Sequence, residues 1–235
     1  MRTFESRSEA GRQLGQYILE RMTLTRPLVL GMPRGGMMVA QSLSEYIEAD
    51  LDVVVTIPVE SAPHKEMAVA AAGHESAIVA VFGATAHAPY ITVLDVEMHG
   101  VDTVEDIRHR SRAIAETQRR MRGLRRRMPP ADIPRRDVVV VSDGMASALP
   151  AIASIRYVRT RGAGRVIVAT PVCAQTVISS LSAMAHDVFT LATPTMLPNI
   201  SRHYRDVHPI TDDDVVRALE AAQPRPAQRP DVPNR

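Results

Sequence analysis

Apolar positions along the chain alternate between helical spacing and short unbroken runs. Leu14, Tyr17, Ile18 and Met22 recur every three to four residues within 9–22, which predicts a helix. The run Leu28-Val29-Leu30-Gly31 reads as a buried strand, and helical spacing resumes over 37–47. Residues 52–57 form a nearly continuous apolar run, as parallel strands covered on both faces usually do. Two shorter strands are expected at 77–82 and 90–94, with a turn near Gly83. A long helix is expected over 102–128, where Val104, Ile107, Ile114, Met121, Leu124 and Met128 form one stripe and Pro129-Pro130 stops it.

The clearest strand is Asp137-Val138-Val139-Val140-Val141. It leads through Ser142-Asp143-Gly144 into a helix expected over 150–159, whose first turn suits Pro150. A strand at 165–169, a helix at 174–184, a strand at 187–192 and an irregular stretch at 193–208 follow. Thr211 is expected to cap a last helix, with Asp212, Asp213 and Asp214 complementing its dipole. Residues 222–235 are rich in Pro and Arg and read as a disordered tail after one domain spanning 1–221. Alternating strands and helices predict an α/β fold with a mostly parallel central sheet flanked by helices on both faces. Function in such sheets sits at the carboxyl ends of the strands, which singles out 32–36 and 142–150.

Composition narrows the classes. A single cysteine, Cys173, excludes a disulfide scaffold and a zinc site built from cysteine pairs. Aromatics at 3% with no Trp speak against a surface that stacks nucleic-acid bases. No apolar stretch approaches the roughly 20 residues that span a bilayer, so no membrane association is expected. Met1-Arg2-Thr3-Phe4-Glu5-Ser6 lacks the apolar core of a signal peptide, and a cytoplasmic location is expected. Lys65 is the one lysine among 28 basic residues, and eleven arginines face two acids within 108–136. That run reads most simply as a solvated helix face or an intersubunit surface, and nucleic-acid binding is a minor reading.

Both loops have a plain reading and a functional one. Gly35-Gly36 between strand and helix lets backbone approach an anion at a helix N-terminus, and Arg34 adds a fork of donors suited to phosphate. A tight β–α turn explains the same residues. Asp143 at a strand end can accept from sugar hydroxyls while the amides after it cradle a phosphate, yet Asp before Gly also suits a simple turn. His203, Asp206 and His208 are too loosely spaced for a metal site, and none is expected. Ser147 sits one place late for a nucleophile elbow, and Cys173 reads as a small buried hydrophobe.

Pro33-Arg34-Gly35-Gly36-Met37-Met38-Val39-Ala40 and Val138-Val139-Val140-Val141-Ser142-Asp143-Gly144-Met145-Ala146-Ser147, with the order of elements, resemble the type I phosphoribosyltransferase family. The opening Phe4-Glu5-Ser6-Arg7-Ser8-Glu9-Ala10-Gly11, the segment Glu66-Met67-Ala68-Val69-Ala70-Ala71, and Tyr204-Arg205-Asp206-Val207 before Asp212-Asp213-Asp214-Val215 resemble its stand-alone or hydrolase-fused bacterial branch. The resemblance covers residues 4 to about 221. It implies the family's sheet with a small hood, formed here by 1–25 and 193–208. It further implies transfer of a 5-phosphoribosyl group from phosphoribosyl pyrophosphate to a nitrogen acceptor, assisted by Mg²⁺. Pro33, Arg34, Gly35 and Gly36 would then hold pyrophosphate. Ser142, Asp143, Gly144, Met145, Ala146, Ser147 and Ala148 would hold the phosphoribosyl group, with Asp143 as the catalytic carboxylate. The partner implied is a phosphorylated sugar or a nucleotide-like small molecule, and a homo-oligomer is allowed.

The chain departs from that pattern inside one loop. The family places two adjacent acids before the glycine, where this chain has Ser142 and Asp143. Gly-Ala-Thr usually follows the serine or threonine, where this chain has Ala148-Leu149-Pro150. Thr56-Ile57 stands where Arg-Lys is usual. Losing one charge-assisted donor from a phosphate cradle costs roughly 1.5–3 kcal/mol, and Pro150 has no N–H to give. Two readings stay open: a working phosphoribosyltransferase, and an inactive regulatory or interaction protein on the same fold. Clustering of the substitutions in one cradle tilts toward the second.

Overall fold

The computed structural model describes residues 2–59, 77–85, 88–96 and 130–222. The expected helix at 102–128, the segment 66–71 and the tail from 223 onward lie outside the described residues. Element order is α1 (Arg7–Leu19), β1 (Leu28–Gly31), α2 (Gly35–Tyr46), β2 (Asp50–Val53), β3 (Val55–Val59), β4 (Ala77–Thr85), β5 (Ala88–Val96) and β6 (Asp137–Val141). There follow α3 (Leu149–Thr160), β7 (Arg165–Val172), α4 (Gln175–Ser182), β8 (Asp187–Ala192), a short 3₁₀ turn (Ile200–His203) and α5 (Asp212–Ala222).

Five strands form a parallel sheet in the order β2-β1-β6-β7-β8. Its strands carry apolar residues on both faces. Leu28, Leu30, Val138, Val140, Val166 and Val168 pack with Ala151, Ile155 and Val158 of α3 and Leu181 of α4. Val29, Val139, Val141 and Ile167 pack on the other face with Leu14 and Ile18 of α1 and Val39 and Leu43 of α2. Period-two alternation between two cores is why these strands read as continuous valine runs.

The expected strand at 52–57 is two strands in different sheets. β2 pairs with β1, whereas β3 joins β4 and β5 in an antiparallel sheet. Val54 gives its N–H to Gly31 O at 3.0 Å, at the point where the chain leaves the parallel sheet. Val53, Val54 and Val55 are all buried, so the apolar run hides the break.

α1 begins at Arg7, two residues before the expected start. Ser6 Oγ accepts from Glu9 N–H at 3.1 Å and the Glu9 carboxylate accepts from Glu5 N–H at 3.0 Å, a capping arrangement that sets the first turn. At the opposite end of the molecule from the strand carboxyl ends, Asp137 accepts from Thr25 N–H at 2.6 Å and from the Arg165 guanidinium. Those hydrogen bonds from Arg165 hold the Asp137 carboxyl below its usual range against the opposing effect of burial. Arg136, part of the arginine-rich run, is buried and donates to Arg26 O at 2.8 Å and Pro27 O at 2.6 Å. Its guanidinium is thus spent on holding the 26–27 backbone.

Candidate functional site

Sheet order reverses between β1 and β6, and a crevice opens at such a switch point outside the carboxyl ends of the strands. The loops after these two strands are 32–36 and 142–148. Gly31 pairs with Val141, and Met32 N–H donates to Val141 O at 2.8 Å, so the loops leave the sheet side by side.

They touch through glycine. A Cβ on Gly36 would stand 2.9 Å from Ser142 Cα, and one on Gly35 would stand 1.9 Å from Asp143 Oδ2. The anion that comes close to the Gly35 backbone is therefore the protein's own carboxylate, at the positive end of α2. Pro33 is half-buried and joined to Arg34 by a cis peptide. The Arg34 side chain turns outward to Asp212, with Nε 3.2 Å from Oδ1 and both side chains about half exposed.

Asp143 has a partner that sequence reasoning missed. Arg7 Nε lies 2.8 Å from Asp143 Oδ2, with side-chain exposures of only 13% and 17%. The guanidinium carbon sits 5.0 Å from the ring centre of Tyr204, a cation–π distance. Tyr204 donates its hydroxyl to Asp143 O at 2.5 Å, and burial foremost, with the Asp143 charge adding, drives its phenol well above the ordinary range. It is therefore a neutral donor at every working pH. Phe4 and Tyr204 form a parallel bridge, with Phe4 N–H donating to His203 O at 2.8 Å. The first and last motifs of the resemblance thus meet over the 142–144 turn. Of the expected hood, 2–6 and 200–206 hold this position, while α1 packs on the sheet through Leu14 and Ile18.

The amides of the second loop divide into two sets. Gly144 N–H reaches Ser142 Oγ at 3.4 Å, and the Ser142 hydroxyl donates to Gly144 O at 3.0 Å. Met145 N–H donates to Val172 O at 2.9 Å and its side chain is buried. These two amides serve the fold. Ala146 and Ala148 have no hydrogen-bond partner for their N–H groups among the described residues. Ser147 Oγ accepts from Leu149 N–H at 3.3 Å, and Leu149, the first residue of α3, is partly buried against the core.

Three weaker sequence candidates resolve plainly. Cys173 is fully buried, which pushes its thiol up to about 11 and leaves it a hydrophobe. His203 is buried with Nδ1 3.0 Å from Arg2 O, whereas exposed His208 pairs with Asp206 at 2.7 Å. No group of three or more His, Cys, Asp or Glu converges among the described residues. The switch-point loops 32–36 and 142–148 carry one carboxylate, Asp143, and a guanidinium already holds one of its oxygens, so these loops offer a poor set of ligands for a directly held Mg²⁺.

No protein-family model matches the chain. "Putative phosphoribosyl transferase Rv0571c" of Mycobacterium tuberculosis H37Rv is 30% identical over 222 residues, covering 94% of this chain and 47% of that protein. The crystal structure of TT1426 from Thermus thermophilus superposes with a TM-score of 0.73 at 28% identity, over 93% of this chain and 98% of that one. The chain thus resembles the type I phosphoribosyltransferases along nearly its whole length. Its parallel five-stranded sheet with helices on both faces is that family's fold. The chain spans about half the length of the curated relatives it matches. No described helix is long and apolar enough to cross a membrane.

Proposed function

We propose that this phosphoribosyltransferase-fold chain binds a phosphoribosyl or pyrophosphate-bearing ligand at the β1/β6 switch point, and that its capacity for transfer is reduced or lost. The observation that carries the proposal is the meeting of Gly35, Asp143 and Arg7. It gathers a cation, a carboxylate and the start of α2 at one point. In this reading Arg34 leaves its exposed, weakly held pair with Asp212 to reach pyrophosphate, a rearrangement costing at most about 1 kcal/mol. The Gly35 and Gly36 backbone would approach the same group, and the Ala146 and Ala148 amides would take the 5′-phosphate. Asp143 Oδ1, which has no partner among the described residues, would accept from a ribose hydroxyl.

Reduced transfer rests on Asp143. Stabilising an oxocarbenium-like sugar calls for negative charge near the ring, and here that charge is offset by Arg7 at 2.8 Å. Ser142 in place of a second acid removes the compensation.

Calorimetry with phosphoribosyl pyrophosphate, together with pyrophosphate release measured against a panel of purine and pyrimidine bases, tests the proposal. Micromolar binding with negligible release supports it. Binding with rapid release assigns the chain to the working transferases, the reading favoured by the names of its relatives. Absence of binding overturns both.

A further inference from the structure

We infer that Arg7 takes over the electrostatic task of the divalent cation at this site, so that the chain binds its phosphorylated sugar without Mg²⁺. This rests on the ligand reading above and goes beyond it by naming the counter-charge. Three observations carry it. First, the one carboxylate of the 142–144 turn is already paired, Asp143 Oδ2 standing 2.8 Å from Arg7 Nε. A dication brought to that carboxylate would meet a fixed positive charge within a few ångströms, which opposes its binding there. Second, the two terminal nitrogens of Arg7 have no hydrogen-bond partner among the described residues, although the side chain is only 13% exposed. A largely desolvated guanidinium with donors to spare suits the planar, bidentate recognition of phosphate oxygens. Third, Arg7 is held in place from two sides, by the Asp143 carboxylate and by the face of Tyr204 at 5.0 Å, and lies against Gly35. A cation fixed beside the first loop is what a pyrophosphate-bearing ligand otherwise obtains from a metal ion.

The experiment is calorimetry on the full chain with phosphoribosyl pyrophosphate, and with ribose 5-phosphate as a probe that chelates magnesium weakly. Each titration is run in excess EDTA and in excess magnesium chloride. The expected result for the unmodified protein is equal affinity in the two buffers, within about threefold. Arg7→Gln should bind at least about tenfold more weakly in EDTA and recover affinity when magnesium is added, because a metal ion can then approach the freed carboxylate. Arg7→Lys, which restores the charge, should return most of the metal-independent binding. Circular dichroism checks that the variants fold, and if Arg7→Gln does not, the unmodified protein in the two buffers decides alone. Unmodified protein that binds only with magnesium overturns the inference and leaves the ligand reading standing. Arg7→Gln that folds and binds as the parent does in EDTA overturns it as well. No binding in either buffer overturns the ligand reading, and this inference with it.

Discussion

Arg7 and Asp143 stand 136 positions apart in the chain and meet with Nε 2.8 Å from Oδ2, directly against the backbone of Gly35. The pair ties the first turn of α1 to the loop after β6 and sets both beside the loop after β1. Its side chains are largely shielded from solvent, so the contact is worth more than a surface ion pair.

Gly35→Ala tests that contact. Its Cβ would stand 1.9 Å from Asp143 Oδ2 and 2.5 Å from Asp143 Cγ, so the carboxylate must move away. Overpacking of this kind costs about 1–3 kcal/mol, and ligand binding should fall below detection in calorimetry. Gly162→Ala is the matched control. Gly162 has φ +77° with no neighbouring atom nearer than 3.9 Å, so the expected loss is about 1 kcal/mol of stability with affinity unchanged.

Tyr204→Phe removes the hydroxyl donated to Asp143 O while keeping the ring under Arg7. Urea denaturation should show a loss of about 0.5–1.5 kcal/mol. The affinity for phosphoribosyl pyrophosphate should drop with it, because the 142–144 turn is no longer pinned.

Leu149→Ala separates fold from site. As the first residue of α3 it is partly buried against the core, so truncation should cost about 1–2 kcal/mol, less than for a fully buried leucine. Affinity should stay unchanged. A large gain in affinity would mean that Leu149 fills the ligand space after all.

Much of the fold was legible because its signals are local. Valine runs mark β6 and β7 whichever face each side chain takes, and Thr211 with three following aspartates marks α5. The same property concealed the break at Val54, where every neighbouring residue is buried and only hydrogen bonding distinguishes the two sheets. In the site, Gly35, Gly36 and Asp143 could be singled out by position at strand ends. The Ser6-x-x-Glu9 capping pattern could have put Arg7 in a helical first turn, yet nothing local assigns it to Asp143 or sets Tyr204 against both. Gly144 and Met145 look like cradle amides until β7 is in place to accept the Met145 N–H.

Acid stability should depend on Asp137, far from the site. Its folded carboxyl sits below the ordinary value of 3.8 because Arg165 donates hydrogen bonds to it. Its stabilising contribution is thus fully present above that ordinary value and is lost as pH falls through the folded one. Asp137→Asn should be less stable than the parent at neutral pH, by about 1–3 kcal/mol. The difference should shrink as pH drops below 4, measured by urea titration across that range.

The most direct test of the switch-point site follows backbone amide resonances as phosphoribosyl pyrophosphate is added. Gly35, Gly36, Ala146 and Ala148 should shift most, with Gly162 and the Asp137 end of the sheet unmoved. Saturable binding whose largest shifts lie elsewhere, or no shift at those four amides, would contradict the account.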